Sequence, residues 1–142
     1  MCYRVARSYR ILQEFAQNDN DEVVGSVEGI VHDDLDAVRN WLEAEQVRAV
    51  DDVVSNLRAP VALLKSLNIA NEYRRQGRGT YLLEWFIAEA ESEDATVILL
   101  VPDVWQVQTR GFNLEAWYAA HGFESIDVGS AVPLMVLRLQ DE

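Results

Sequence analysis

The segment from Val61 to Val101 constrains the fold most. Val61 to Ile69 reads as a strand, with Val61, Leu63, Leu67 and Ile69 on one parity. A loop follows, Arg74-Arg75-Gln76-Gly77-Arg78-Gly79-Thr80. A helix is predicted from Gly79, because Leu82, Leu83, Phe86, Ile87 and Ala90 fall on one face and Glu84, Glu89 and Glu91 fall outside it. Val97-Ile98-Leu99-Leu100-Val101 is a continuous apolar run closed by Pro102, the pattern of a buried central strand.

The flanking sequence extends this unit. Residues 3–16 read as an N-terminal strand and Val23–Val31 as its hairpin partner, joined across Asn18-Asp19-Asn20-Asp21. Short polar side chains there bond their own backbone and tolerate left-handed geometry. Asp33 and Asp34 can cap a helix running from Leu35 to about Val47, and a short second helix is predicted over 49–58, ended by Pro60. Asn113 can cap a helix from Leu114 to about His121, with Gly122 at its C-terminal cap. The tail offers two strands broken near Gly129-Ser130, the last being Leu134–Leu139. This order predicts one α/β domain over residues 1–142, with a mixed sheet of about six to seven strands flanked by helices.

The loop carries the chemistry. Two glycines let the backbone turn tightly and bring its N–H groups close to a ligand, and the following helix presents its positive end there. Arg74, Arg75 and Arg78 add forked donors suited to phosphate oxygens. An exposed arginine-rich turn is the plainer reading of the same residues. The loop lacks the Lys-Ser/Thr ending of a triphosphate loop and the third glycine of a dinucleotide fingerprint.

Leu67-Asn68-Ile69-Ala70-Asn71-Glu72-Tyr73-Arg74-Arg75-Gln76-Gly77-Arg78-Gly79 resembles the central strand and acyl-coenzyme A loop of the GNAT superfamily of N-acetyltransferases, with Arg74, Gly77 and Gly79 filling its R-x-x-G-x-G. Asn71 stands where proline is common in that family. A second motif, Trp117-Tyr118 followed by Gly122-Phe123, is similar to the family's next helix. The resemblance covers roughly residues 61–140, with an acyl-donor core at about 61–123, and leaves out the first sixty, where a hairpin precedes the helices. It implies acetyl-coenzyme A as co-substrate. Amides from Gln76 to Thr80, with Arg74, Arg75 and Arg78, would hold its pyrophosphate. The backbone of Leu67, Asn68 and Ile69 would pair with its pantetheine arm. Tyr118 would donate a proton to the leaving thiolate, and a helix tyrosine packed on the core is the alternative. Asn113 stands two residues beyond the family's usual asparagine position, held here by Gly111, and is a further coenzyme contact or only a cap.

The acceptor is expected to be an amine of a small molecule or protein, attacking the thioester directly. Asp103 is preferred as general base over Glu28, His32 and Glu72, though each of these also reads as an ordinary surface charge. Trp105 to Phe112 reads as an acceptor-side loop. Formal net charge is −12, and from Glu14 to Asp52 twelve acids face two arginines, a solvated surface or a wall for a cationic acceptor. That charge argues against nucleic acid as partner, including the tRNA-directed members of the superfamily. Two histidines and one cysteine make no metal-ligand cluster, and no Gly-x-Ser-x-Gly elbow occurs. No apolar run has membrane-spanning length and Met1-Cys2-Tyr3-Arg4 opens no signal peptide, so a cytoplasmic protein is expected. Unpaired C-terminal strands are compatible with a homodimer. The competing reading from another class is a non-catalytic module that binds acyl-coenzyme A without turnover.

Overall fold

The computed structural model describes residues 9–69, 77–102, 114–126 and 134–139. Six strands form one sheet: β1 (Tyr9–Gln17), β2 (Val23–His32), β3 (Val61–Ile69), β4 (Val97–Leu100), β5 (Glu124–Ile126) and β6 (Leu134–Arg138), in the order β1-β2-β3-β4-β6-β5. Only β3 and β4 run parallel; every other pair is antiparallel. The sheet is therefore mixed, as expected.

Helices cover both faces. α1 (Leu35–Ala44) and α2 (Val50–Ser55) pack on one through Val38, Leu42 and Val50, meeting Val61, Leu63, Val97 and Leu99. α3 (Arg78–Ser92) and α4 (Leu114–Ala120) pack on the other through Leu82, Leu83, Phe86 and Tyr118, meeting Ala62, Leu64, Ile98 and Leu100. Alternation sends neighbouring residues of β4 to opposite layers, so a wholly apolar run is required there.

Local chemistry sets the boundaries. Asn18 Oδ1 accepts from the amides of Asn20 (2.8 Å) and Glu22 (3.0 Å), while Asp21 takes the left-handed conformation. Asp34, not Asp33, caps α1, accepting from the Asp36 amide at 2.8 Å. α1 ends at Ala44, short of the expected Val47: Gln46 turns left-handed and the Val47 amide reaches back to the Leu42 carbonyl. Asp94 ends α3 the same way, with the Ala95 amide on the Ala90 carbonyl.

One expectation fails. Leu67 does not share a face with Leu63. The β2–β3 register jumps between Glu28 (opposite Ser66) and Gly29 (opposite Leu64), leaving Lys65 as an extra residue. An added residue reverses which side chains face which layer. Leu63 packs on the α1 side and Leu67 on the α3 side. The side chain of Ile69 lies outside the described residues.

Gly29 sits at this jump, under α3. A Cβ there would lie 2.3 Å from the Leu63 carbonyl oxygen and 2.4 Å from the Phe86 ring. Glycine lets the fully buried Phe86 ring rest against the backbone where β3 changes register.

Candidate functional site

Gly77 precedes α3 with φ +83° and ψ −2°, a left-handed geometry that glycine adopts without steric cost. Among the described residues no side chain caps the helix. The Tyr81 amide makes its first backbone bond, to the Gly77 carbonyl at 2.9 Å, so the amides of the preceding turn point out of the N-terminus. Gly79 and Thr80 lie in that half-buried turn.

The hairpin supplies the opposite wall. Arg78 Nε donates to the Gln17 carbonyl at 3.3 Å, and the Tyr81 hydroxyl donates to Glu14 Oε2 at 3.3 Å. The Glu14 carboxylate holds the Tyr81 phenol above its ordinary pKa. Phe15, Ala16, Gln17, Gly77, Arg78 and Tyr81 line an open pocket of about 550 Å³. Nothing in the sequence links the hairpin to this loop. The tie from Gln17 is made by its main chain, which leaves no residue-type signal. Arg74, Arg75 and Gln76 lie outside the described residues.

Beside this turn the sheet parts. Pairing of β3 with β4 stops at Leu63–Leu99, while β3 continues to Ile69, paired there with Gly25 of β2. Among the described residues no strand lies against the other edge of β3 beyond that point. Leu67, Asn68 and Ile69 occupy this stretch, beyond the Lys65 bulge; Leu67 is half-buried and Asn68 exposed. Peptide groups along such an edge need partners from elsewhere.

Tyr118 is held by the way α4 ends. Gly122 turns with φ +99°, its amide donates to the Ala119 carbonyl at 3.0 Å, and the Phe123 amide donates to the Tyr118 carbonyl at 3.2 Å. These are the two bonds of a Schellman cap, whose hydrophobic contact is the edge-to-face pair of Tyr118 and Phe123, centroids 5.6 Å apart. The Tyr-x-x-x-Gly-Phe spacing thus fixes the tyrosine ring from one side, and Trp117 packs on it at 5.0 Å. Tyr118 is buried in the same core layer as α3 and Leu67. Burial pushes its phenol well above the ordinary tyrosine range, so it stays protonated.

His121 closes α4, its Nδ1–H donating to the Trp117 carbonyl at 2.9 Å, as expected of a helix-end residue. Glu28 is exposed opposite Ser66, beside the bulge. His32 is half-buried at the far end of β2; burial, then Lys65, lower its pKa against Asp34 and Asp33. Asp103, Asn113, Glu72 and Trp105 lie outside the described residues. Among the described residues no group of three metal-ligating side chains comes together, and no helix is long and apolar enough to cross a membrane.

Comparison with known proteins fits this geometry. The family model for the acetyltransferase (GNAT) family matches residues 4–123. The match takes in the hairpin, α1 and α2, which the motif resemblance had left out. No curated protein sequence matches the chain significantly. Among solved structures, an acetyltransferase from Bacillus cereus superposes with TM-score 0.62 at 15% identity, over 98% of this chain and 80% of the other. The PaiA N-acetyltransferase of Thermoplasma acidophilum, in complex with coenzyme A, gives TM-score 0.59 at 16% identity, over 90% of this chain and 60% of the other. The ribosomal-protein-S18-alanine N-acetyltransferase of Escherichia coli gives TM-score 0.57 at 18% identity, over 96% and 73%. With a mixed six-stranded sheet covered on both faces and a family match spanning most of its length, the chain belongs to the GNAT acetyltransferase family.

Proposed function

We propose that this protein moves an acetyl group from acetyl-coenzyme A to the amine of a small molecule or protein. The observation that carries the reading is the parting of β3 from β4 beside a glycine-capped helix N-terminus. A linear donor bearing a diphosphate at one end and amides along its arm matches both features. The PaiA relative, solved with coenzyme A, supports the same donor.

Acetyl-coenzyme A supplies the activated acyl carbon as a thioester. The Gln76–Thr80 amides, with Arg74, Arg75 and Arg78, grip its diphosphate. The main chain of Leu67, Asn68 and Ile69 bonds the arm as an added strand would, which fixes the thioester. Tyr118, protonated when the thioester is attacked, hydrogen-bonds the departing sulfur and supplies its proton, which solvent then replaces. Asp103 takes the proton the attacking amine must lose, and Asn113 is a further coenzyme contact. The acidic stretch from Glu14 to Asp52 favours a cationic acceptor over nucleic acid.

Tyr118→Phe tests the assignment. The proposal expects acetylation of a panel of amines and amine-terminated peptides by the wild type, and a kcat lower by about 100-fold in the variant with coenzyme A affinity nearly unchanged. A wild type that binds the coenzyme and acetylates nothing would make the chain a binding module instead.

A further inference from the structure

The two ends of the sheet differ. β5 closes one end with only three residues, and a short edge strand is a common safeguard against unwanted pairing. Among the described residues β1 closes the other end, with nine residues and neither proline nor lysine. Its Tyr9, Ile11 and Phe15 are 43%, 63% and 46% exposed, on the face turned away from α3. Val23, at the end of β2 opposite Gln17, adds a fourth exposed apolar side chain.

Main-chain contacts tell which groups of β1 look outward. The Phe15 amide bonds the neighbouring Glu14 carboxylate and the Gln17 carbonyl accepts from Arg78, so neither group serves the pairing with β2. Peptide groups alternate direction along a strand, so Ile11 and Gln13 also point theirs outward. The sequence of β1 is complementary to itself in one antiparallel register. With Leu12 on a two-fold axis, Arg10 faces the partner's Glu14 on both sides of the axis. Tyr9 faces the partner's Phe15, and Ile11 faces the partner's Gln13 with outward peptide groups on both strands. Arg10 is already held by Asp33 (2.7 Å) and by Glu93, through its carbonyl (3.4 Å) and its carboxylate (3.4 Å from Nε). Glu14 is held by the Phe15 amide and the Tyr81 hydroxyl. The pair across the axis therefore uses the guanidinium N–H groups and carboxylate lone pairs that these contacts leave.

From this we infer that β1 pairs with β1 of a second copy, joining two six-stranded sheets into one across a two-fold axis centred on Leu12. Such an interface is isologous, so one set of contacts serves both chains. It lies at the opposite end of the sheet from the C-terminal strands, and it does not depend on the acetyltransferase reading.

Size-exclusion chromatography with light scattering tests it without any activity measurement. The wild type is expected to elute at twice 16.1 kDa at high micromolar concentration. Ile11→Lys sets a charge opposite the partner's Gln13 at an exposed position, with the partner's equal charge diagonally across the axis. Gln13→Pro removes an N–H that points away from β2. Both are expected to elute as single chains with unchanged circular dichroism. Glu14→Arg alone and Arg10→Glu alone are expected to be monomeric, and an equimolar mixture of the two is expected to recover the dimer, because each then meets its opposite. A monomeric wild type overturns the inference. A dimer that survives both Ile11→Lys and Gln13→Pro overturns it equally, since the contact then lies elsewhere. Folded charge variants that do not associate when mixed overturn the register. Were Arg10→Glu to unfold for want of its Asp33 contact, the lysine and proline variants still decide the matter.

Discussion

Gly29→Ala is the substitution whose cost the structure fixes most sharply. The new methyl would lie 2.3 Å from the Leu63 carbonyl oxygen and 2.4 Å from two atoms of the Phe86 ring, about 1 Å inside contact distance for each. Phe86 is fully buried, and the Leu63 oxygen is part of a central strand. Relief must come from moving β2 and β3 apart at the bulge. Overpacking of this kind costs about 3 kcal/mol, the upper part of the usual range. For a chain of this length that lowers Tm by roughly 6–12 °C. Because the displaced stretch is where β3 leaves β4, KM for the acyl donor is expected to rise as well. Urea titration followed by circular dichroism measures the stability term. A double-mutant cycle with Phe86→Leu is expected to be less than additive, since the smaller side chain relieves the ring contact but not the carbonyl one. An unfolding free energy for Gly29→Ala within about 0.5 kcal/mol of wild type would refute the reasoning.

Gly77→Ala tests conformation, because among the described residues a Cβ there meets nothing within 4 Å while the φ of +83° opposes it. Loss of about 1–2 kcal/mol in thermal or urea unfolding is expected, with a smaller loss for Gly77→Asn, and equal stability of all three chains would contradict it. His32 gives a pH signature. Its folded pKa lies below its ordinary 6.5, so the unfolded chain binds the proton first. Stability on this account is complete above pH 6.5 and falls as pH drops towards the folded value, and His32→Asn flattens that segment of a pH–stability profile. Tyr118 acts in the other direction: its raised pKa keeps its contribution intact below pH 10 and loses it above, as the unfolded phenol ionises and the folded one resists. Tyr118→Phe is expected to remove that alkaline loss.

What could be read ahead of the structure depended on how local the cause was. α3 was legible because Leu82, Leu83 and Phe86 repeat at helical spacing, and its expected start at Gly79 falls one residue after the observed Arg78. The end of α4 was legible because Gly122 stands where a left-handed cap belongs, and the structure adds the Tyr118–Phe123 contact beside it. The hairpin-then-helices order of the first sixty residues was legible too, yet not its place in the family, because those elements carry generic patterning and no chemistry-bearing motif. The bulge at Lys65 left no such trace. A bulge is a relation between two strands, and nothing in the composition of β3 tells which partner residue it skips. The left-handed Gln46 that shortens α1 was hidden for a related reason: it is a residue type that seldom marks a helix end. The wall made by Gln17 depends on a carbonyl, which every residue has.

The most direct test is titration calorimetry of the wild-type chain with coenzyme A and with acetyl-coenzyme A, beside Gly77→Ala. Saturable binding of both at one site per chain is expected, with weaker binding by the variant and a thermal midpoint that rises when ligand is added. Absence of heat and of any thermal shift with either ligand, from a chain that circular dichroism finds folded, would contradict the central claim.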